Sequence, residues 1–161
     1  YLALGSTPFV SLRVGNVISP GLAIGPIPTF YKNLKAGEPV TVSTSVRDFL
    51  DITDFLDALD RVLDEEAPTG SFNISSGNGT SMKQLFDIVA TYLDVQAKPK
   101  LVAPVGNDIP AIVLDPSHTE TTLGWKVNVP VAEAVVSCLR SYDRTGVGEI
   151  HSHLQTPGAT R

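Results

Sequence analysis

The chain has 161 residues, of which 42% are hydrophobic and 18% charged, with a formal net charge of −5. That length fits one domain, or one large piece of one, and can bury a real core. Lys and Arg are scattered with no basic stripe, which argues against nucleic acid, and no apolar run approaches the ~20 residues that span a bilayer.

Cys138 is the single cysteine, so an internal disulfide and a cysteine-based metal site are excluded. It falls on the apolar side of an expected helix, as a buried inert thiol would. No signal peptide is visible, and a cytoplasmic setting is the expectation. The sequence opens at Tyr1 rather than Met, and its first residues read as the end of a helix stopped by Gly5. The expectation is a fragment with a large segment ahead of it.

Pro8 to Ile18 is β-branched and nearly continuous, like a strand buried on both faces of a parallel sheet. Asn16 lies at its carboxyl end, where open α/β sheets bind ligands. Pro26-Ile27-Pro28 leads into a helix over 29–36, stopped by Gly37, with Ile27, Phe30, Tyr31 and Leu34 on one face. Val40-Thr41-Val42 alternates like a strand, and Ser43-Thr44-Ser45 joins it to the next element.

Arg47-Asp48-Phe49-Leu50-Asp51-Ile52-Thr53-Asp54 reads as a strand running into a helix N-terminus, with Thr53 as the expected N-cap. Phe55, Leu56, Leu59, Val62 and Leu63 recur at helical spacing. An arginine fork matches phosphate oxygens in a way lysine does not. On this stretch alone, the ordinary role for Arg47 is to pair with Asp48 or Asp51. The acidic cluster Asp60, Asp64, Glu65 and Glu66 reads as a solvated face.

Ser71 to Ser75 is a short strand and Ser76-Gly77-Asn78-Gly79 a plain turn, since the GxxxxGK[ST] phosphate loop is absent. Ser81 with Gln84 forms a capping-box pattern. Leu85, Ile88, Val89, Tyr92 and Leu93 then trace the stripe of a packing helix. Lys100 to Ala103 is an expected edge strand, and Val105 to Pro110 a loop. Asp115-Pro116 starts a short helix ending near Gly124-Trp125, with His118 on its surface. Pro130 starts a last helix with Ala132, Val135, Val136, Leu139 and Tyr142 inward. From Thr145 the chain reads as a flexible tail, and its His151 and His153 make no metal site by themselves. No G-x-S-x-G, HExxH or GxGxxG appears.

In series, Ser11-Leu12-Arg13-Val14-Gly15-Asn16-Val17-Ile18-Ser19-Pro20-Gly21, Arg47 to Asp54, Phe72-Asn73-Ile74-Ser75-Ser76-Gly77, Asn107-Asp108-Ile109-Pro110 and Leu123-Gly124-Trp125-Lys126 resemble one family. They are similar to the C-terminal half of an extended short-chain dehydrogenase/reductase. More narrowly, they resemble the NAD-dependent epimerase/dehydratase family that acts on nucleotide-sugars. The resemblance covers roughly residues 9–142.

The resemblance implies an α/β fold: the C-terminal part of a Rossmann-type NAD(P)-binding fold with its small mixed α/β substrate-binding domain. Residues 1–21 would end the Rossmann domain. Residues 22–144 would form the substrate domain, with 71–76 returning to the Rossmann sheet, and 145–161 would be the tail. The residue matching Asn16 would reach the sugar-nucleotide, and Arg47 a diphosphate oxygen. Backbone near Thr41 and Val42 would lie beside the base, and Asp108 would fix the ribose side.

The parent would be an enzyme using NAD or NADP, an isomerase or lyase that acts by transient hydride transfer on a nucleotide-sugar, and a homodimer. The family's glycine-rich loop and catalytic YxxxK are expected to lie ahead of Tyr1, which is followed by Gly5 rather than Lys and so is not that catalytic tyrosine. Val105 stands where the family often has an arginine, and Ser43 where it often has an aromatic. Ser19 replaces the usual glycine before Pro20. These departures motivate an alternative, a non-catalytic binding or regulatory protein on the same scaffold.

Overall fold

The computed structural model describes residues 9–64, 66–106 and 108–148. The expected helix end at 1–5, the histidines at 151 and 153, and all but the first four residues of the expected tail lie outside them. Among the described residues, eight strands and five helices follow one another in a mixed α/β order: β1 (Val10–Val14), β2 (Asn16–Ile18), α1 (Pro26–Ala36), β3 (Thr41–Ser43), β4 (Val46–Asp51), α2 (Ile52–Val62), β5 (Gly70–Ile74), β6 (Gly79–Ser81), α3 (Met82–Tyr92), β7 (Lys100–Val102), β8 (Ala111–Ile112), α4 (Ser117–Leu123) and α5 (Val131–Thr145). The last helix therefore takes Thr145 from the expected tail.

The strand expected over 8–18 is two strands. β1 pairs in parallel with β5, from Val10↔Gly70 to Val14↔Ile74. At Gly15 the chain changes partner, and β2 pairs in parallel with β4, Asn16↔Phe49 to Ile18↔Asp51. A Cβ on Gly15 would come within 3.3 Å of the Asp48 carbonyl oxygen and 3.4 Å of the Leu50 side chain. The missing side chain is what lets the crossing backbones approach so closely.

β4 is the hub. Its first half is flanked by antiparallel β6 and by parallel β8, so Arg47 stands between Thr80 and Ile112. Neither β6 nor β8 was expected from the sequence; strands of two or three residues are too short to show a periodicity. β3 does not pair with β4. It pairs in parallel with β7, Thr41↔Lys100 to Ser43↔Val102, which gives the expected edge strand its partner.

Two apolar clusters hold these sheets. One gathers Ile18, Phe30, Tyr31, Leu34, Val42, Phe49, Leu85, Phe86, Val89, Val135, Cys138, Leu139 and Tyr142 from α1, α3, α5 and the strands beneath them. The other is smaller: Leu50, Ala58, Phe72, Ile74 and Trp125, flanked by Val10, Leu12 and Phe55. Each such side chain, fully buried, contributes roughly 1.5–3 kcal/mol of transfer free energy. Cys138 is buried as expected, and burial pushes its thiol up from the ordinary range.

Three local expectations change. The α2 N-cap is Asp51, whose carboxylate accepts from Thr53 N at 2.8 Å and from Thr53 Oγ1 at 2.6 Å. Thr53 is thus a partner of the cap, two residues beyond it. On α2, Leu56 and Leu63 are 49% and 77% exposed, while Asp54 and Ala58 are buried. The buried line is set by where the helix meets the smaller cluster, which takes in Ala58 and has Phe55 packed against it. On α5, Ala132 is exposed, and Ala134 and Cys138 take the inward places. Other signals hold: Gly37 ends α1 in the left-handed region at φ 70°, Ser81 and Gln84 form the capping box, and Gly124 ends α4.

Candidate functional site

Arg47 reaches its position because β4 is pinned on both sides. Val46 N donates to Pro110 O at 2.8 Å, and the β6 register fixes Arg47 opposite Thr80. Its guanidinium donates from Nη1 to Val46 O at 2.8 Å and from Nη2 to Asp108 Oδ1 at 2.6 Å. The Arg47 side chain is 18% exposed and that of Asp108 41%. The partner expected from neighbouring sequence, Asp48 or Asp51, is wrong. Asp51 caps α2, and Asp48 points to the opposite side of the strand, as alternate residues do.

Asp48 is the residue that sequence reasoning missed. It is 1% exposed, and its carboxylate accepts from Ser76 N at 2.8 Å, Ser76 Oγ at 2.6 Å and Gly77 N at 3.1 Å. Its backbone carbonyl accepts from Asn16 Nδ2 at 2.9 Å. The stretch 76–79 is therefore more than a plain turn: a buried carboxylate gathers its N–H groups. A serine-glycine pair after a strand is the one trace this leaves in sequence. Asp48 ties Asn16 on β2, the turn after β5 and the strand of Arg47 into one unit.

Of the expected site residues, Arg47 and Asp108 meet directly, and Asn16 is bonded to the residue after Arg47. Thr41 and Val42 stand on the separate β3–β7 pair. Val42 is fully buried, Thr41 is exposed, and neither hydrogen-bonds Asn16, Arg47 or Asp108 among the described residues. Val105 is 81% exposed and Ile109 54%, so the loop carrying Asp108 presents an apolar rim beside the ion pair. A cleft of about 600 Å³ opens elsewhere, between Asp51 and the outward face of α5, lined by Val129, Ala132, Glu133, Val136, Ser137 and Arg140. None of the expected site residues lines it. An arginine held by backbone on both sides is a better anion anchor than a larger open groove, because charge-assisted bonds need fixed geometry.

The sequence does contain a YxxxK, against expectation: Tyr31-Lys32-Asn33-Leu34-Lys35 on α1. Lys35 Nζ stands 3.2 Å from Tyr31 Oη, but that hydroxyl donates to Asp143 Oδ1 at 2.6 Å. Burial, and the Asp143 carboxylate next, push the Tyr31 hydroxyl above its ordinary range. A catalytic tyrosine base needs the opposite shift. Tyr31 and Tyr92 both donate to Asp143, so the cluster ties α1, α3 and α5 together.

Gly77 and Gly79 form no phosphate cradle either. Gly77 N is occupied by Asp48. A Cβ at Gly77 or Gly79 would lie 3.0 Å from Pro116 or 2.7 Å from Val46, so the glycines face side chains at van der Waals distance. Among the described residues, no group of three His, Cys, Asp or Glu side chains could hold a metal ion, and no helix is long and apolar enough to cross a membrane.

Comparison with known proteins gives the same frame. A profile of the family described as "NAD dependent epimerase/dehydratase family" matches residues 1–75. The chain is similar to the Bordetella bronchiseptica enzyme WbmG, solved in complex with NAD and UDP. Identity is 51%, the TM-score is 0.87, and the match covers 95% of this chain and 49% of that one. It is 27% identical over 139 residues to a dTDP-4-dehydro-6-deoxyglucose reductase of Escherichia coli, covering 82% of this chain and 44% of the relative. It is 31% identical over 127 residues to a probable UDP-arabinose 4-epimerase 3 of Oryza sativa subsp. japonica, covering 76% of this chain and 31% of the relative. The chain thus spans half or less of the length of the proteins it matches.

Proposed function

We propose that this chain belongs to the NAD-dependent epimerase/dehydratase family, whose profile matches residues 1–75, and that it is the substrate-binding portion of a sugar-nucleotide epimerase or dehydratase. Arg47 anchors the diphosphate, Asn16 contacts the sugar-nucleotide, Asp108 faces the ribose, and backbone at Thr41 and Val42 flanks the base. The contact between Arg47 and Asp108 carries this reading. Residues far apart in sequence, each expected at a nucleotide, converge on one strand edge. The complex of WbmG with UDP supports the ligand class.

In this reading, residues 1–21 close a cofactor-binding domain, and 22–144 form the substrate domain with 71–76 returning to the sheet. The parallel β1–β5 pair supports the return of 71–76 to the strand of residues 10–14, while β2 pairs with β4. NAD or NADP supplies hydride exchange in the intact protein, a cytoplasmic homodimer acting on small molecules. This chain's own residues hold substrate, and no step through the cofactor is assigned to them. An arginine on a pinned strand orients a diphosphate, and binding in one orientation is itself a catalytic contribution.

The test is Arg47→Ala in the intact natural protein. The expected result is UDP affinity lowered about tenfold or more, since a charge-assisted bond is worth roughly 1.5–3 kcal/mol, with the melting temperature nearly unchanged. Unaltered UDP binding would remove Arg47 from the site. The alternative, a non-catalytic binding protein, draws on Val105 and Ser43, which stand where the family often has an arginine and an aromatic. Hydride exchange with NAD by the intact protein separates the two: an inert protein that still binds UDP is the binding protein.

A further inference from the structure

We propose that Asp108 is a selectivity gate on the Arg47 anchor: it fills the guanidinium as an internal anion, so that a nucleoside diphosphate binds and a bare diphosphate is rejected. The inference rests on the reading of Arg47 as the diphosphate anchor and goes beyond it, because it concerns discrimination between two anions at that anchor.

The ion pair is a built feature of the fold. The described chain on either side of Asp108 is fastened to the segment that carries Arg47. At one end Thr44 N donates to Val102 O at 2.9 Å, and at the other Val46 N donates to Pro110 O at 2.8 Å. The loop then continues into β8, whose Ile112 stands opposite Arg47. A turn in which Asp108 N donates to Val105 O at 3.3 Å sets the carboxylate toward the strand. Asp108 is held over Arg47 by backbone on either side, and Oδ1 sits 2.6 Å from Nη2.

The consequence follows from charge. Arg47 already uses Nη1 on its own strand, through Val46 O. The Nη2 arm is the one a phosphate would share with Asp108. Two anions on one arm repel, and like-charge juxtaposition is a common source of discrimination. A ligand offsets this only if it gives the carboxylate a new donor. Ribose hydroxyls are such donors, placed a fixed covalent distance from the phosphates. Asp108 has a second oxygen, Oδ2, to accept them while Oδ1 keeps or loosens its hold on Arg47. Inorganic pyrophosphate has the anionic part without the donor. The exposed apolar rim at Val105 and Ile109 adds nothing for an inorganic anion.

The experiment measures UDP and inorganic pyrophosphate binding by calorimetry on the intact natural protein, before and after Asp108→Asn. The amide keeps the size of the side chain and removes its charge. The expected result is pyrophosphate bound about tenfold tighter by the variant, with UDP unchanged or weaker, so that the preference for UDP collapses. Asp108→Glu, which keeps the charge, should leave pyrophosphate as poorly bound as in the wild type. An equal change for both ligands in Asp108→Asn would overturn the gate and leave Asp108 as a mere prop for Arg47. Weaker pyrophosphate binding in the variant would overturn it as well. If the wild type binds no UDP, the anchor reading and the gate fall together. If it binds UDP through Arg47 while Asp108→Asn changes neither ligand, the gate alone falls.

Discussion

The Asp48 carboxylate holds both the backbone amide and the hydroxyl of Ser76, at 2.8 and 2.6 Å, from a position one residue beyond Arg47. The bond runs from β4 to the turn after β5, and so extends the β4–β6 ladder, which ends at Asp48 opposite Gly79. Asp48→Ala would leave Ser76 N and Gly77 N without their acceptor, at a half-buried serine and an exposed glycine. Unmade bonds of that kind cost about 1–3 kcal/mol each. The expected loss is about 1–3 kcal/mol in urea unfolding, with Asn16 keeping its bond to the main-chain carbonyl of residue 48. A variant as stable as the wild type would show that water replaces the carboxylate.

Gly79→Ala tests how closely β6 approaches β4. An added Cβ would lie 2.7 Å from Val46 Cγ1 and 3.2 Å from Val113 Cγ2. Val46 is β-branched and has little rotamer freedom to yield. Overpacking of this kind costs about 1–3 kcal/mol. Because β6 is the strand opposite Arg47, the variant should also weaken UDP binding. Thermal unfolding and calorimetry of the same preparation would check both effects.

Trp125→Phe probes the smaller cluster. Trp125 is fully buried, and its Nε1 donates to Asp54 O at 2.9 Å. The Asp54 carboxylate in turn accepts from Asn128 N and Val129 N at 3.1 and 3.0 Å. Losing one ring's volume and one buried bond should cost about 2–3 kcal/mol. The signature is a lower denaturation midpoint with an unchanged slope. A changed slope would mean that the segment between α4 and α5 had come loose.

Asp143 gives a pH dependence with a defined sign. Hydrogen bonds from Tyr31 first, and then Tyr92, hold its carboxyl below the usual carboxylate range. A group whose folded pKa is depressed contributes stability that is present above its unfolded value, about 3.9 for Asp. That stability is lost as the pH falls through the folded value. Asp143→Asn should therefore make stability fall less steeply below about pH 4, while differing little in slope from pH 6 to 8. Melting temperatures of the two proteins across that range would decide it. Parallel curves would mean that the two tyrosines stabilise the neutral and charged forms alike.

Much of this protein was legible in its sequence because the signals are local. Gly37 and Gly124 end helices since only a residue without Cβ adopts the left-handed region at no steric cost. Ser81 and Gln84 satisfy each other within one turn, so the capping box reads directly. The run of β-branched residues at 8–18 announced strand, and the ordered set of short motifs pointed to the family. What the sequence could not state is which groups become neighbours. Whether Arg47 pairs with Asp48, Asp51 or Asp108 depends on β8, a strand too short to have a pattern of its own. Gly15 reads as one more residue of a strand until two sheets cross there. Tyr31 and Lys35 match a catalytic spacing on their own helix, and Asp143, brought from another helix, makes them structural. Covalent order fixes turns, caps and periodicity, since these need only a few adjacent residues. Charge pairing and buried hydrogen bonds are decided by packing, since each donor must find its acceptor wherever the whole chain closes on itself.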